Sequence, residues 1–209
     1  MKTVPHRQRR PTVPFGEWRI SLDLQATREV ASAPALARGC RCPWCRNWAA
    51  AWERVLPPDV VSGLRRLGID PADPADLYCV SHRPRDVDLR VIYYCVGVVR
   101  DGPVVWREDP RFEQTARWYQ ELRPAPWWLS VSVVPQRHLH DLPLTLDAEV
   151  RDLIQVDFRL TVPWVLDEEH PMMIEARSYP KQPVIWAGGR LRPASDFRRK
   201  RPRTEPNPI

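Results

Sequence analysis

Hydrophobic and polar residues alternate along two long segments of the chain, which is the pattern of a β-strand with one buried face. In 17–24 the letters EWRISLDL place an apolar side chain at every second position, beginning with Trp18. In 152–166 the alternation begins at Ile154 and continues to Pro163. A proline there favours an edge position or a bulge, because it has no N–H to donate to a neighbouring strand. Both segments are predicted strands.

Three further apolar segments also predict strands, so the body should be dominated by an antiparallel sheet. They are 76–82, 86–100 and 127–134, and the second is closed by an Asp-Gly turn signal at 101–102. The intervening segment 110–124 fits either a helix or an irregular excursion.

The hydrophobic period changes from two to about four at Pro43. Tryptophan recurs at residues 44, 48 and 52, which places the three rings on one face of a helix that begins at Pro43 and ends at the LPP of 56–58. A second short helix is predicted over 59–67, and a further one is possible between 25 and Pro34. The pattern predicts an α+β fold: a mainly antiparallel sheet, two short N-terminal helices and a Trp-rich core.

Charge divides the chain into a body and two basic ends. The net charge is +6, but residues 1–14 carry +4 and residues 170–209 carry +6, so residues 15–169 carry −4. Residues 170–209 also hold seven prolines. We therefore expect a disordered basic arm at 1–15, a single domain at 16–168 and a Pro-rich basic tail at 169–209.

Cysteine usage and hydropathy indicate a compartment. The five cysteines are an odd number and three of them lie in one short segment, which suits a reducing cytoplasm better than a disulfide framework. No secretory signal is visible, and no apolar run approaches the roughly 18 residues of a membrane span. We expect a cytoplasmic protein without a membrane partner.

The segment GCRCPWCRNW at 39–48 is the strongest candidate for chemistry. Cys42 and Cys45 have the C-x-x-C spacing of a zinc knuckle, and a closed zinc site needs four ligands. A second such step, Cys79 and His82, would complete a structural Cys3His site, and Cys40 could replace any of the four. The predicted metal ligands are therefore Cys40, Cys42, Cys45, Cys79 and His82.

Two other interpretations of the cysteines stay open. They could be reduced thiols packed beside the tryptophans, since free cysteine is among the most buried residue types. They could also form a redox pair at a helix N-terminus. Redox motifs of that type follow a parallel strand, whereas the strands here are predicted to be antiparallel. Cys95 lies in an apolar strand and is a predicted core residue.

Clustered arginines at both ends could contact nucleic acid or another acidic surface. Such binding works through phosphate charges, depends on salt and does not read sequence. A solubilising role is the alternative. The residues concerned are Arg7, Arg9, Arg10, Arg198, Arg199, Lys200, Arg201 and Arg203.

Residues 17–168 resemble a family of bacterial proteins that has no known activity. The resemblance lies in WRISLDLQATREV, GCRCPWCRNW, LGIDPADPADLY, YYCVGVV and VDFRLTVPWVLDE, of which the C-x-C-x-x-C-R-N segment is the most specific. It implies that the body is one recurring domain. In that family the positions that match Cys79 and His82 are not regularly Cys or His. The resemblance thus implies that any metal would rest on Cys40, Cys42 and Cys45 alone, with a fourth ligand unknown.

Two functions are compatible with these observations. The first is a non-enzymatic binding or adaptor protein, whose body meets a protein partner and whose basic ends add affinity for an acidic surface. The second is a thiol- or zinc-dependent enzyme centred on the Cys40, Cys42 and Cys45 cluster. No phosphate-binding loop, dinucleotide fingerprint or serine-hydrolase elbow is present in the sequence to favour an enzyme.

Overall fold

The structure is a computed structural model that describes 10–35, 37–83, 85–103, 106–109, 114–117, 120–124, 127–139, 150–171, 184–187 and 190–193. The chain divides into two compact units, Met1–His170 and Pro171–Ile209. The second contributes a two-stranded antiparallel pair, which is described by its backbone alone.

Three α-helices and eleven strands, with one short 3-10 helix at Gln136–His138, make up the described elements. In chain order they are β1 (Thr12–Phe15), β2 (Trp18–Leu22), α1 (Leu24–Ser32), α2 (Pro43–Val55), α3 (Pro58–Arg66), β3 (Asp76–Arg83), β4 (Asp86–Asp101), β5 (Trp106–Asp109), β6 (Gln114–Arg117), β7 (Gln120–Arg123), β8 (Leu129–Pro135), β9 (Leu153–Pro163), β10 (Val184–Ala187) and β11 (Arg190–Pro193).

Seven of these strands form one antiparallel sheet in the order β1-β2-β4-β9-β8-β7, with β3 paired to β4. One edge of the long strand β4 pairs with β9 over residues 86–96. Its other edge is shared, because β3 pairs with its first half and β2 with its second half. Thr27 of α1 bonds to β4 between them: its hydroxyl accepts from the backbone N–H of Val96 at 2.9 Å. Helix α1 thus provides a hydrogen-bond partner for β4 in the gap between its pairing with β3 and its pairing with β2.

A local sequence signal marks one end of each helix. Asp23 caps α1, since its carboxylate accepts the N–H of Ala26 at 3.0 Å. Helix α2 starts at Pro43, whose missing N–H costs nothing in a first turn. Gly68 follows α3 with a positive φ of 79°, a conformation that glycine adopts without steric cost.

The main core lies between one face of the sheet and helices α2 and α3. Every second residue of β4 and of β9 faces it, which for β9 is what the alternation predicted. Its largest fully buried side chains include Trp18, Trp48, Tyr93 and Phe158. Their polar atoms are satisfied: Trp48 Nε1 donates to the carbonyl of Pro71 at 3.1 Å, and the Tyr93 hydroxyl donates to the same oxygen at 2.6 Å. The Trp-rich core is thereby confirmed.

The α+β class and the antiparallel sheet are confirmed, with corrections to individual elements. A third helix, α1, forms where the sequence indicated a helix only as a possibility. The segment 110–124 contributes strands β6 and β7 instead of a helix. Strand β9 as a whole is central, between β4 and β8, but its register with β8 ends at Leu160, so Pro163 pairs with β4 alone. The proline is tolerated because it is the last residue of the strand.

The boundary of the N-terminal arm also changes. Residues 12–15, placed by charge within a disordered arm, form β1, which pairs with β2 through a turn at Gly16. Phe15 is buried and its ring contacts that of Phe158. The last residue of the predicted arm is thus a core residue, and the domain begins one strand earlier than predicted.

Candidate metal centre

The thiols of Cys40, Cys42 and Cys45 lie together, with all three Sγ atoms within 4.8 Å of one another. A tetrahedral zinc ion bound at about 2.3 Å holds its sulfur ligands roughly 3.8 Å apart. The three thiols therefore need to close by only about 1 Å to bind one ion. Cys40 is exposed, whereas Cys42 and Cys45 are half-buried.

Local backbone structure brings the three thiols to one point. Cys42 is the residue before α2 and has an extended backbone, while Cys45 lies in the first turn of the helix. Gly39 adopts a φ of 75°, and the N–H of Cys40 bonds to the carbonyl of Ala37 at 3.0 Å. This turn directs the chain back toward the helix N-terminus, where the helix dipole favours negative charge.

The three thiols are electrostatically unequal. A hydrogen bond from the backbone of Cys42, helped by the thiols of Cys42 and Cys45, lowers the pKa of the Cys40 thiol. Burial is the main cause that raises the pKa of Cys45, and its two thiol neighbours raise it further. The Cys40 thiol is therefore easier to deprotonate than the Cys45 thiol. Metal binding requires thiolates, so an ion entering here would release protons.

The helix that carries the cysteines is fixed to the end of β9 by the next two residues. The buried side chain of Asn47 donates to the carbonyl of Pro163 at 3.0 Å and accepts from the N–H of Val165 at 2.9 Å. Arg46 pairs with Glu168 at 2.6 Å. The C-R-N segment at 45–47 and the PWVLDE segment at 163–168 therefore contact each other directly.

An aromatic group lies beside this contact. The rings of Trp44, Trp164 and His170 meet edge to face, with centroid distances of 5.9 Å from Trp44 to each of the others and 4.7 Å between Trp164 and His170. Trp164 also donates through Nε1 to the carbonyl of Glu168 at 3.0 Å. The chain from 163 to 170 is thus held against the first turn of α2.

The structure places the other predicted ligands elsewhere or does not describe them. The thiol group within 4.8 Å does not include Cys79. The Cys79 thiol packs against the core and donates to the carbonyl of Ser81 at 3.2 Å. The side chain of His82 lies outside the described residues, so its role stays a prediction. Cys95 is fully buried in β4, as expected of a core residue.

Of the arginines predicted to bind nucleic acid, Arg10 alone falls in the described part of the chain. Its guanidinium pairs with Asp152 at 2.8 Å and with Asp23 at 3.3 Å. These carboxylates raise its pKa, chiefly through the hydrogen bond to Asp152. Arg10 therefore contacts the body, and its phosphate contact stays a prediction. The remaining candidates, Arg7, Arg9, Arg198, Arg199, Lys200, Arg201 and Arg203, lie outside the described residues.

Sequence reasoning missed a polar network on the sheet face opposite the main core. Arg90 of β4 binds the fully buried carboxylate of Asp157 on β9, with Nη2 at 2.6 Å and Nε at 2.9 Å. Gln155 donates to the same carboxylate at 3.1 Å, and Arg90 also contacts Tyr78. The signal was present, because Arg90 and Asp157 occupy polar positions of two alternating strands. Only the register between the strands reveals the pairing.

Comparison of the chain with models of protein families, with curated proteins and with solved structures gives no match. No helix in the described ranges is long and apolar enough to cross a membrane. Any function proposed for the chain therefore depends on its own residues and their geometry.

Proposed function

We propose that the protein is a non-enzymatic binding or adaptor protein of the cytoplasm whose cysteine loop holds one zinc ion as a structural clamp. The observation that carries this proposal is the convergence of three thiols, on Cys40, Cys42 and Cys45, within 4.8 Å. Soft thiolate ligands favour zinc among the common divalent ions. All five cysteines are free, which suits a reducing compartment.

The zinc ion would add a link at Cys40 to a loop whose preceding residues already contact the body, through the packing of Ala37 and the ion pair of Arg38 with Asp73 at 2.8 Å. An added Cβ at Gly39 would meet no atom within 4 Å, so packing does not hold this part of the loop. A bond from the ion to Cys40 would tie the loop to the first turn of α2. That turn is itself joined to residues 163–168 through Arg46 and Asn47. The ion thus stabilises the surface on which three segments meet.

Cobalt substitution tests the clamp. Adding Co²⁺ to the reduced protein should give the intense near-ultraviolet bands of thiolate-to-metal charge transfer, and Zn²⁺ should abolish them. Cys42→Ser should weaken these bands strongly, while Cys95→Ala, which removes a buried thiol outside the group, should retain them. A spectrum without thiolate bands would refute the clamp.

The basic ends supply the binding part of the proposal. The body has a protein partner, and the arginines of the ends add affinity for an acidic surface, of which nucleic acid is one. The body carries −4 and the ends together +10, so such attraction belongs to the ends. It should weaken steeply with salt, because it works through counterion release.

Deletion of the basic residues tests this part separately. Removing 1–9 and 198–203 leaves β1 and the ion pairs of Arg10 in place. Binding to a single-stranded oligonucleotide should fall with salt in the full chain and be lost in the deleted chain. Binding unchanged by the deletion would exclude the ends as the contact.

The alternative function is a thiol- or zinc-dependent enzyme. The observation in its favour is that Cys40 is exposed and lies beside two further thiols, which is an arrangement accessible to a substrate. A variant Cys45→Ser that retains its fold but loses a measured turnover would support this alternative over the clamp.

A further inference from the structure

The cysteine loop places one exposed thiol beside two sheltered ones. Cys40 is exposed, and its Sγ lies within 4.8 Å of those of Cys42 and Cys45. A disulfide needs an S–S distance of about 2.05 Å, so its formation requires a movement of less than about 3 Å. Gly39 precedes Cys40 and has open space around it, which leaves room for that movement.

We propose that Cys40 is an oxidation site and that Cys45 captures it in an intramolecular disulfide, which expels the zinc ion. The expulsion rests on the proposed zinc clamp, whereas the disulfide needs the thiols alone. Two of the three clustered ligands are consumed by the bond, and one remaining thiol cannot hold the ion.

Cys45 is better placed than Cys42 to form this bond. Cys45 is fixed in the first turn of α2 and packs against the core. Only one residue, Arg41, separates Cys40 from Cys42. A disulfide between them would close a ring through that single residue, which leaves the backbone little freedom to reach the geometry that a disulfide requires.

The reaction balances with hydrogen peroxide as the oxidant. The sulfur of Cys40 attacks one peroxide oxygen, the O–O bond breaks, and the departing hydroxide takes a proton to become water. Cys45 then attacks the sulfur of the resulting sulfenic acid, the S–O bond breaks, and a second water leaves. Two thiols and one peroxide give one disulfide and two waters. The cysteines are oxidised and the peroxide is reduced.

Trypsin distinguishes a disulfide of Cys40 from one between Cys42 and Cys45. Cleavage after Arg38, Arg41 and Arg46 places Cys40 in the peptide 39–41 and Cys42 with Cys45 in the peptide 42–46. The reduced protein would first be analysed for zinc, then treated with hydrogen peroxide, and its free thiols would be alkylated before digestion. The absorbance of a zinc-binding dye would measure how much zinc the protein releases.

We expect the peptides 39–41 and 42–46 to be joined. Cys45→Ser should abolish the link and Cys42→Ser should retain it, with circular dichroism verifying that both variants fold. Cys95, which is fully buried, serves as the internal control and should become alkylated only after unfolding. In the zinc-loaded protein, zinc release should rise in step with the linked peptide.

Other products overturn the proposal. A disulfide confined to 42–46, a disulfide between two chains, or irreversible oxidation of Cys40 without any link would each refute it. A reduced protein that contains no zinc would refute the clamp instead. The presence or absence of the linked peptides would then still test the disulfide between Cys40 and Cys45. The two failures are therefore distinguishable.

Discussion

The side chain of Asn47 accepts a hydrogen bond from the backbone N–H of Val165 at 2.9 Å, although 118 residues separate the two in sequence. The same amide donates to the carbonyl of Pro163, which lies at the end of β9. Asn47 is fully buried on α2, two residues after Cys45. One side chain thus joins the helix that carries the thiols to the segment that follows the central strand.

Replacing Asn47 by alanine should destabilise the domain by about 1–3 kcal/mol, because it leaves the half-buried carbonyl of Pro163 and the half-buried N–H of Val165 without this partner. Urea unfolding followed by tryptophan fluorescence measures the change. Gln25→Ala is the matched control, since the Gln25 amide bonds to Glu29 on an exposed helix surface. Equal losses in the two variants would contradict the role assigned to Asn47.

Replacing Arg90 by methionine should lower the free energy of unfolding further, by about 3–5 kcal/mol, because the buried carboxylate of Asp157 then has no cationic partner in Arg90. The double variant Arg90→Met with Asp157→Leu should recover much of that loss, since it removes both charges. A thermodynamic cycle from urea unfolding of the four proteins tests this. A double variant no more stable than Arg90→Met alone would show that the pair is not the source of the cost.

Cys95 should make the domain less stable at alkaline pH. Burial raises the pKa of its thiol from 9.0 to about 12, so the unfolded chain loses this proton before the folded chain does. Stability from this group is complete below pH 9 and is lost as pH rises toward 12, at about 1.4 kcal/mol per pH unit.

Between pH 9 and pH 10 two thiols contribute, because burial also raises the pKa of Cys45 from 9.0, and comparison with Cys95→Ala isolates the share of Cys95. The pKa of the buried Tyr93 hydroxyl is also raised by burial, but from an ordinary value of 10.0. Cys95→Ala should therefore flatten the fall in unfolding free energy between pH 9 and 10. An unchanged slope in that variant would assign the effect to another group.

The elements that the sequence predicted well are those whose signal is local. Helix α2 was indicated by the tryptophan period after Pro43, and β9 by strict alternation from Ile154 to Val162. The thiol cluster was predictable for the same reason, because its members lie within six residues. The predictions that failed depended on tertiary neighbours. Alternation does not tell an edge strand from a central one, so the central position of β9 in the sheet could not be predicted from the pattern that ends at Pro163.

Contacts across the sheet were beyond sequence reasoning. The pairing of Arg90 with Asp157 is set by the register of β4 against β9, in which Arg90 lies opposite Arg159 and Asp157 opposite Ile92. The pair is therefore diagonal between strands, 67 residues apart in sequence. Likewise, no local signal indicated that Asn47 would bond to Val165.

Elemental analysis of the purified, reduced protein tests the zinc clamp most directly. We predict one zinc ion per chain, lost in Cys40→Ser, Cys42→Ser and Cys45→Ser and retained in Cys95→Ala. Zinc loss in Cys79→Ser as well would assign the fourth ligand to β3. A wild-type protein without metal, whose exposed Cys40 thiol reacts before the protein unfolds, would contradict the clamp.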